Sequence, residues 1–269
     1  MNILVLGDIF GSSGVKAVTE KLPGIIKEKN VNFTIANGEN ADDSGVGISK
    51  KNTEDFFKAG IDVITSGNHI WDQKETMKFI KDEKRLLRPE NFIKPSPGEG
   101  MGFFNSKNNK KIAVLNLMGN VFMKKSDDVF QAAKKFIDNV KLKKDADFIV
   151  VDLHGEITSE KMAMAFLFDG KATIVVGTHT HVPTADHRIM EKGTAYQTDL
   201  GMCGDYESVI GMNRENSLKK FLKDPSAKKH FPSSGKATIS GILVSADNET
   251  GLAKKIQPII LGGSLQERK

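Results

Sequence analysis

"IVVGTHTHVP", residues 174–183, runs a β-branched apolar stretch straight into two histidines one position apart. Such a run, too short for a helix and bounded by Gly177 and Pro183, reads as a strand buried on both faces. Its end is either a metal site or a strand closed by two polar residues. Along an extended strand His179 and His181 would share one face, whereas a loop beginning at Gly177 would aim them in different directions.

The same texture recurs upstream. "NILVLG" precedes an amphipathic stretch at 14–30, "NFTIAN" one at 49–59, "IDVITS" one at 72–81, "KIAVLNL" one at 126–140, and "DFIVVDL" one at 158–168. Uniformly apolar strands alternating with lysine-rich amphipathic segments predict an α/β architecture whose sheets are covered by helices. After Gly177 the pattern shortens to "DHRIM", "GTAYQTD", "ATISGILVSAD" and "KKIQPIILG", which predicts short, antiparallel strands. No repeat or flexible linker separates the two regions, so residues 1–269 are expected to form a single domain with two sheets sharing one core.

The chain has 269 residues, is 39% hydrophobic, and carries a net charge of +5 with a pI near 9.0. No stretch approaches the ~20 apolar residues of a membrane helix, and Asp8 interrupts the apolar start too soon for a secretory signal. The single cysteine, Cys203, allows no internal disulfide and fits a reducing compartment, so the cytoplasm is expected. Any metal must then be held by nitrogen and oxygen donors. The lysines lie in scattered doublets such as Lys50/Lys51 and Lys143/Lys144 rather than in a stripe interleaved with aromatics, so RNA is admitted as a partner but unsupported. A homo-oligomer is compatible with the composition.

Position carries the functional signal. Strand ends supply Asp8 in "LVLGD", Glu39 and Asn40 in "TIANGEN", Asn68 and His69 in "VITSGNH", His154 in "VVDLH", and His179 and His181. Each alone is a common turn or cap residue. In α/β sheets, however, ligands gather at the carboxyl ends of strands, where residues remote in sequence converge. A set of carboxylates, amides and imidazoles delivered there predicts a metal site. His187, in an expected exposed strand, and His230, in a lysine-rich segment, lack this context and are expected at the surface. "GDIFGSSGVK" is not a Walker loop, because Lys16 is followed by Ala17.

The ordered motifs "LVLGDIFGSSG", "ANGENA", "TSGNHIWD", "LHGEITSEK", "GTHTHVPTAD" and "YQTDLGMCGD" resemble the calcineurin-like metallophosphoesterases, and within them the bacterial 2′,3′-cyclic-nucleotide phosphodiesterase type. The resemblance implies a sandwich of two mixed β-sheets flanked by helices and a dinuclear centre at the strand ends. Matched motif by motif, it gives Asp8, Glu39, Asn40 and His181 to one metal and Glu39, Asn68, His154 and His179 to the other, with Glu39 bridging. His69 would be the general acid. Generic members carry a histidine two residues after the first aspartate and an aspartate bridge; Phe10 and Glu39 at these places look like the bacterial subgroup. Asp42 and Asp43, in "ADDSGVGI", add negative charge beside a site for anions.

The resemblance further implies cyclic-nucleotide hydrolysis by in-line attack of a hydroxide shared by two ions, with His69 protonating the leaving alkoxide. The donor set permits iron or manganese as well as zinc, and the resemblance points to iron or manganese. Thr198, Asp199 and Cys203 match a loop near the active site and could equally form an ordinary strand exit; no basic neighbour in sequence marks Cys203 as a nucleophile. The competing reading is a nucleotide- or RNA-binding regulator that keeps the fold with little catalysis.

Overall fold

Successive side chains of β1 (Asn2–Phe10) leave opposite faces of the strand, and both faces are buried. Ile3 and Val5 join Phe33, Ile35, Val114 and Val150 in one apolar cluster, while Leu4, Leu6 and Ile9 join Val18, Leu22 and Phe56 in another. In β6 (Phe148–His154) the alternation repeats. Phe148 and Val150 face the first cluster, and Ile149, Val151 and Leu153 pack with Ala133, Phe136, Met164 and Phe168. The shared cluster therefore lies between two sheets, and helices cover both outer faces. The structure, a computed structural model, describes residues 1–268.

One six-stranded sheet contains β1, β2 (Phe33–Asn40), β3 (Val63–Thr65), β10 (Met202–Asp205), β11 (Ala237–Ala246) and β12 (Ala253–Leu261), in the order β12-β11-β10-β1-β2-β3. The other contains β4 (Met101–Asn105), β5 (Lys111–Met118), β6, β7 (Ile174–Thr178), β8 (Arg188–Ile189) and β9 (Ala195–Gln197), in the order β4-β5-β6-β7-β9-β8. The helices are α1 (Gly11–Glu28), α2 (Lys50–Ala59), α3 (Thr76–Phe79), α4 (Val129–Asn139), α5 (Thr158–Phe168) and α6 (Arg214–Phe221). Both sheets are mixed, as expected, with β1, β2 and β3 parallel in one and β5, β6, β7 and β9 parallel in the other. Their carboxyl ends meet at one edge of the sandwich. Among the described residues no helix is long and apolar enough to cross a membrane.

Several expectations are corrected. The 72–81 segment contracts to the four-residue α3, because the N–H of Asp72 donates to His69 O and that of Thr76 to Gln73 O, holding the preceding chain in turns. α4 starts at Val129 rather than 126, where the Asp128 side chain caps the N–H of Gln131. The C-terminal region is not uniformly antiparallel: β9 runs parallel to β7, and β10 parallel to β1. These strands are only three and four residues long, too short for periodicity to reveal direction. β10 inserts beside the end of β1 at Asp8 and Ile9, whereas β11 pairs with its beginning. Gly7 marks the fork, since a Cβ there would lie 1.9 Å from Gly201 O.

Candidate metal centre

β1 delivers Asp8, β2 delivers Glu39 and Asn40, the turn after β3 delivers Asn68 and His69, β6 ends on His154, and the loop after β7 carries His179 and His181. Glu39, His154 and His179 place one ligand-capable atom each within 4.8 Å of one another. His154 Nε2 is 2.9 Å from Glu39 Oε1, 3.2 Å from Asn68 Oδ1 and 3.0 Å from His179 Nδ1. Asp8 Oδ1 lies 3.7 Å from the same imidazole, on the side of Nδ1. Asn40, His69 and His181 line the adjoining cleft of about 270 Å³ together with Glu39, His179 and Phe10.

Hydrogen bonds around the rim fix which ring nitrogen is free. The Thr178 hydroxyl donates to Asp152 Oδ1 at 2.8 Å, so toward His154 Nδ1, 3.0 Å away, it accepts; Nδ1 carries a proton, and Nε2, 2.9 Å from Glu39 Oε1, is the ring nitrogen whose proton a cation would displace. His179 Nε2 lies 3.1 Å from a Glu156 carboxylate oxygen, which can only accept, leaving Nδ1 bare toward His154. His181 Nδ1–H donates to Ile210 O at 2.8 Å and frees Nε2. Each imidazole thus has its outward nitrogen engaged and its inward one available, the arrangement that orients metal-binding histidines.

Two buried oxygens, Asp8 Oδ1 and Asn40 Oδ1, have no hydrogen-bond partner. Their fellow atoms are engaged: Asp8 Oδ2 accepts the N–H of His179, and Asn40 Nδ2 donates to Gly45 O. Leaving such atoms buried and unpaired costs about 1–3 kcal/mol each. Together with lone pairs converging on His154 Nε2, they fit cations in this pocket and are poorly served by anything else.

Electrostatics agree. Burial pushes the Asp8 carboxyl up to about 6. Burial alone would also raise Glu39, but the charge and hydrogen bond of His154 hold it down at about 2. Burial would lower His154, and the Glu39 and Asp8 carboxylates instead raise it to about 9. His179, desolvated and beside a charged His154, falls to about 3. With no metal bound, the cluster takes up one proton as its cation.

The His179 and His181 backbones have φ of +102° and +66°, in the left-handed region. Each costs a non-glycine residue about 1–3 kcal/mol and belongs to loop rather than strand geometry. The pair therefore leaves the strand and diverges. Phe10 packs edge-on against the His181 ring, with centroids 5.1 Å apart.

Residues the sequence reading left aside also fall into place. Asp72 Oδ2 accepts from His69 Nδ1 at 2.6 Å, and the Lys124 ammonium donates to Asn68 O at 2.6 Å. Ile210 and Met212 reach the cleft from the end of the glycine-rich stretch "YQTDLGMCGDYESVIG" and just beyond it, although neither residue was singled out. Asp42 and Asp43 line a separate groove between α1 and α2 rather than the cleft. Thr198 donates to Asp186 away from the cleft, and Cys203 is fully buried, its thiol pushed up to about 12 by burial. His230 is exposed, but His187 is half-buried rather than exposed, with a shielded Nδ1 beside the two-residue β8.

The paired mixed sheets, with donors gathered at their strand ends, define a calcineurin-like metallophosphoesterase fold. More narrowly, the chain belongs to the YmdB-like family, whose model matches residues 4–259. It is 43% identical over 261 residues, 97% of each chain, to the 2′,3′-cyclic-nucleotide 2′-phosphodiesterase of Bacillus subtilis (strain 168). It is 37% identical to a putative phosphatase/phosphodiesterase of Mycoplasma pneumoniae, covering 96% of this chain and 92% of that one. Among solved structures, a hypothetical protein from Thermus thermophilus superposes with a TM-score of 0.89 at 36% identity, covering 98% of this chain and 100% of that one. A novel phosphatase from Mycoplasma pneumoniae gives 0.88 at 36% identity, covering 97% and 93%. The chain is thus an enzyme of a phosphoester-hydrolase family.

Proposed function

We propose that this enzyme is a dinuclear-metal phosphodiesterase that opens cyclic nucleotides in the cytoplasm, with 2′,3′-cyclic monophosphates as the principal substrates and 3′,5′-cyclic ones as a second class. The carrying observation is the convergence of Glu39, Asn68 and His179 on His154 Nε2 at 2.9–3.2 Å, beside the unpaired oxygens of Asp8 and Asn40. Asp8, Glu39, Asn40 and His181 would hold one ion, and Glu39, Asn68, His154 and His179 the other. The nitrogen and oxygen donors suit iron or manganese, with zinc also accommodated.

Bound cations would supply a nucleophile at neutral pH and stabilise charge on the phosphoryl oxygens. The chain's own contribution is geometric and acidic. Glu39 stays ionised because His154 lies against it, and its Oε2 fixes the turn after β3 by accepting the N–H of His69 at 2.8 Å. His69, with Nδ1 engaged by Asp72, turns Nε2 to the task of protonating a sugar alkoxide as its bond to phosphorus breaks. A cleft of about 270 Å³ suits a small phosphodiester better than a polymer.

The test is metal analysis of tag-free protein combined with hydrolysis of 2′,3′-cyclic AMP, 3′,5′-cyclic AMP and bis(p-nitrophenyl) phosphate. The expected result is two ions per chain and chelator-sensitive turnover that favours the 2′,3′-cyclic ester. Protein that binds no ion, or metal-replete protein inert toward all three esters, would overturn the proposal.

A further inference from the structure

The metal cluster leaves unused one fully buried ion pair. Lys161, on α5, and Asp199, in the loop between β9 and β10, are 2% and 0% exposed and pair at 2.7 Å. They bracket His179. The Lys161 ammonium also donates to Thr178 O at 2.8 Å, and Asp199 Oδ2 accepts the N–H of Thr180 at 3.1 Å. The carbonyl before His179 and the amide after it are thereby pinned by opposite ends of one ion pair.

The network closes on β1. Asp199 Oδ1 accepts the N–H of Gly201 at 2.8 Å, Gly201 O accepts the N–H of Asp8 at 3.1 Å, and Asp8 Oδ2 accepts the N–H of His179 at 3.0 Å. Asp8, His179, Thr180, Asp199 and Gly201 thus form a closed hydrogen-bonded ring. Space has been made for it, because a Cβ on Gly177 would lie 2.7 Å from Lys161 Cδ, where the lysine stem passes over β7. Burying two charges is a poor route to stability, since apolar residues of similar volume commonly do as well. A strained backbone at φ +102° and +66°, in contrast, persists only where its surroundings over-determine it.

We infer that Lys161 and Asp199 are positioning residues that hold Asp8, His179 and His181 in metal-ready geometry. This rests on the metal-binding reading above. Neither residue lines the cleft; each acts through the backbone of the ligand loop.

The test compares Lys161→Met and Asp199→Asn with Leu22→Ala, a core truncation about three turns into α1 and away from the strand tips. Each is prepared metal-free, then measured for thermal midpoint in chelator, Mn²⁺ stoichiometry, and Mn²⁺ affinity by competition with a chromophoric chelator. The clamp variants should lose ten- to a hundredfold in affinity, the range for residues that orient ligands, with stoichiometry falling below that of wild type. Leu22→Ala should lose thermal stability but keep wild-type affinity. A folded Lys161→Met protein with a lowered midpoint and undiminished affinity overturns the inference. If Lys161→Met does not fold, Lys161→Met/Asp199→Asn, which leaves no unpaired buried charge, carries the same expectation; failure of both to fold assigns the pair a purely structural role. Wild-type protein that binds no Mn²⁺ would defeat the metal-binding reading, an outcome distinct from variants that bind as wild type does.

Discussion

Asp8 Oδ2 accepts the backbone N–H of His179 at 3.0 Å, joining one sheet to the other across 171 residues of sequence. The second oxygen, Oδ1, is buried and unpaired, and burial raises the carboxyl from 3.8 to about 6. A carboxyl raised in the fold favours folding fully only below its unfolded value, and that contribution is lost as pH rises through about 6. Ionised Asp8 therefore costs the metal-free protein about 3 kcal/mol at pH 8, as an order of magnitude. Asp8→Asn keeps an acceptor for His179 and removes the charge. Its thermal midpoint in chelator should exceed that of wild type at pH 8, and the gap should close near pH 4. Added Mn²⁺ should raise the midpoint of wild type and not of the variant.

Metal loading should release a proton. His154, raised to about 9 by Glu39 and Asp8 against its burial, is protonated at pH 7 when no metal is bound, while a cation needs its Nε2 lone pair. In the metal-free protein this pairing favours folding most below pH 6.5 and is lost as pH rises through about 9. Titration of metal-free protein with Mn²⁺ in weakly buffered indicator solution should therefore release about one proton per chain from His154 at pH 7, beyond any lost by water on the ions, and that His154 share should disappear as pH rises past about 9. Apparent affinity should rise about tenfold per pH unit between roughly 6 and 9.

The fold was legible where physical chemistry leaves local marks. β1, β2, β5, β6 and β7 are buried on both faces, which forces an unbroken apolar run, and the donors at or just past the ends of β1, β2, β6 and β7 interrupt that run abruptly. Their gathering at one edge follows from parallel order. Less legible was anything held by tertiary contact. β4, half-exposed at a sheet edge, and α6, polar and lysine-rich, carry weak periodicity. Asp72 stands three residues after His69, a spacing that could have been tested for a helical or turn partner. Thr178, Asp152 and Lys161 serve the site from positions whose partners lie far along the chain, and no local pattern announces them.

Gly67 supplies a steric test of the site. A Cβ there would stand 2.1 Å from His154 Cδ2 and 2.3 Å from Nε2, and the imidazole is fully buried with no room to turn. Gly67→Ala should destabilise by about 1–3 kcal/mol through overpacking and abolish loading of the ion that uses His154, read by metal content after dialysis. Gly24→Ala is the control, because nothing lies within 4 Å of its added carbon. In mid-helix it should be neutral or stabilising by about 0.5–1 kcal/mol and leave metal content unchanged.

The acid role proposed for His69 can be separated from metal binding by the choice of leaving group. Its Nδ1 is taken by Asp72 at 2.6 Å, and its side chain, 31% exposed, lines the cleft without joining the Glu39–His154–His179 cluster. His69→Ala should therefore keep its ions while kcat on 2′,3′-cyclic AMP falls about 10²- to 10⁴-fold. A p-nitrophenolate departs without a proton, so on bis(p-nitrophenyl) phosphate the same variant should lose little more than tenfold. Asp72→Asn, which keeps an acceptor for Nδ1 but removes the charge behind it, should fall between wild type and His69→Ala on the cyclic nucleotide. Equal losses on both esters would mean that His69 positions the phosphoryl group rather than protonating the leaving oxygen. Steady-state kinetics on metal-replete protein, with ion content measured on the same samples, decide between the two.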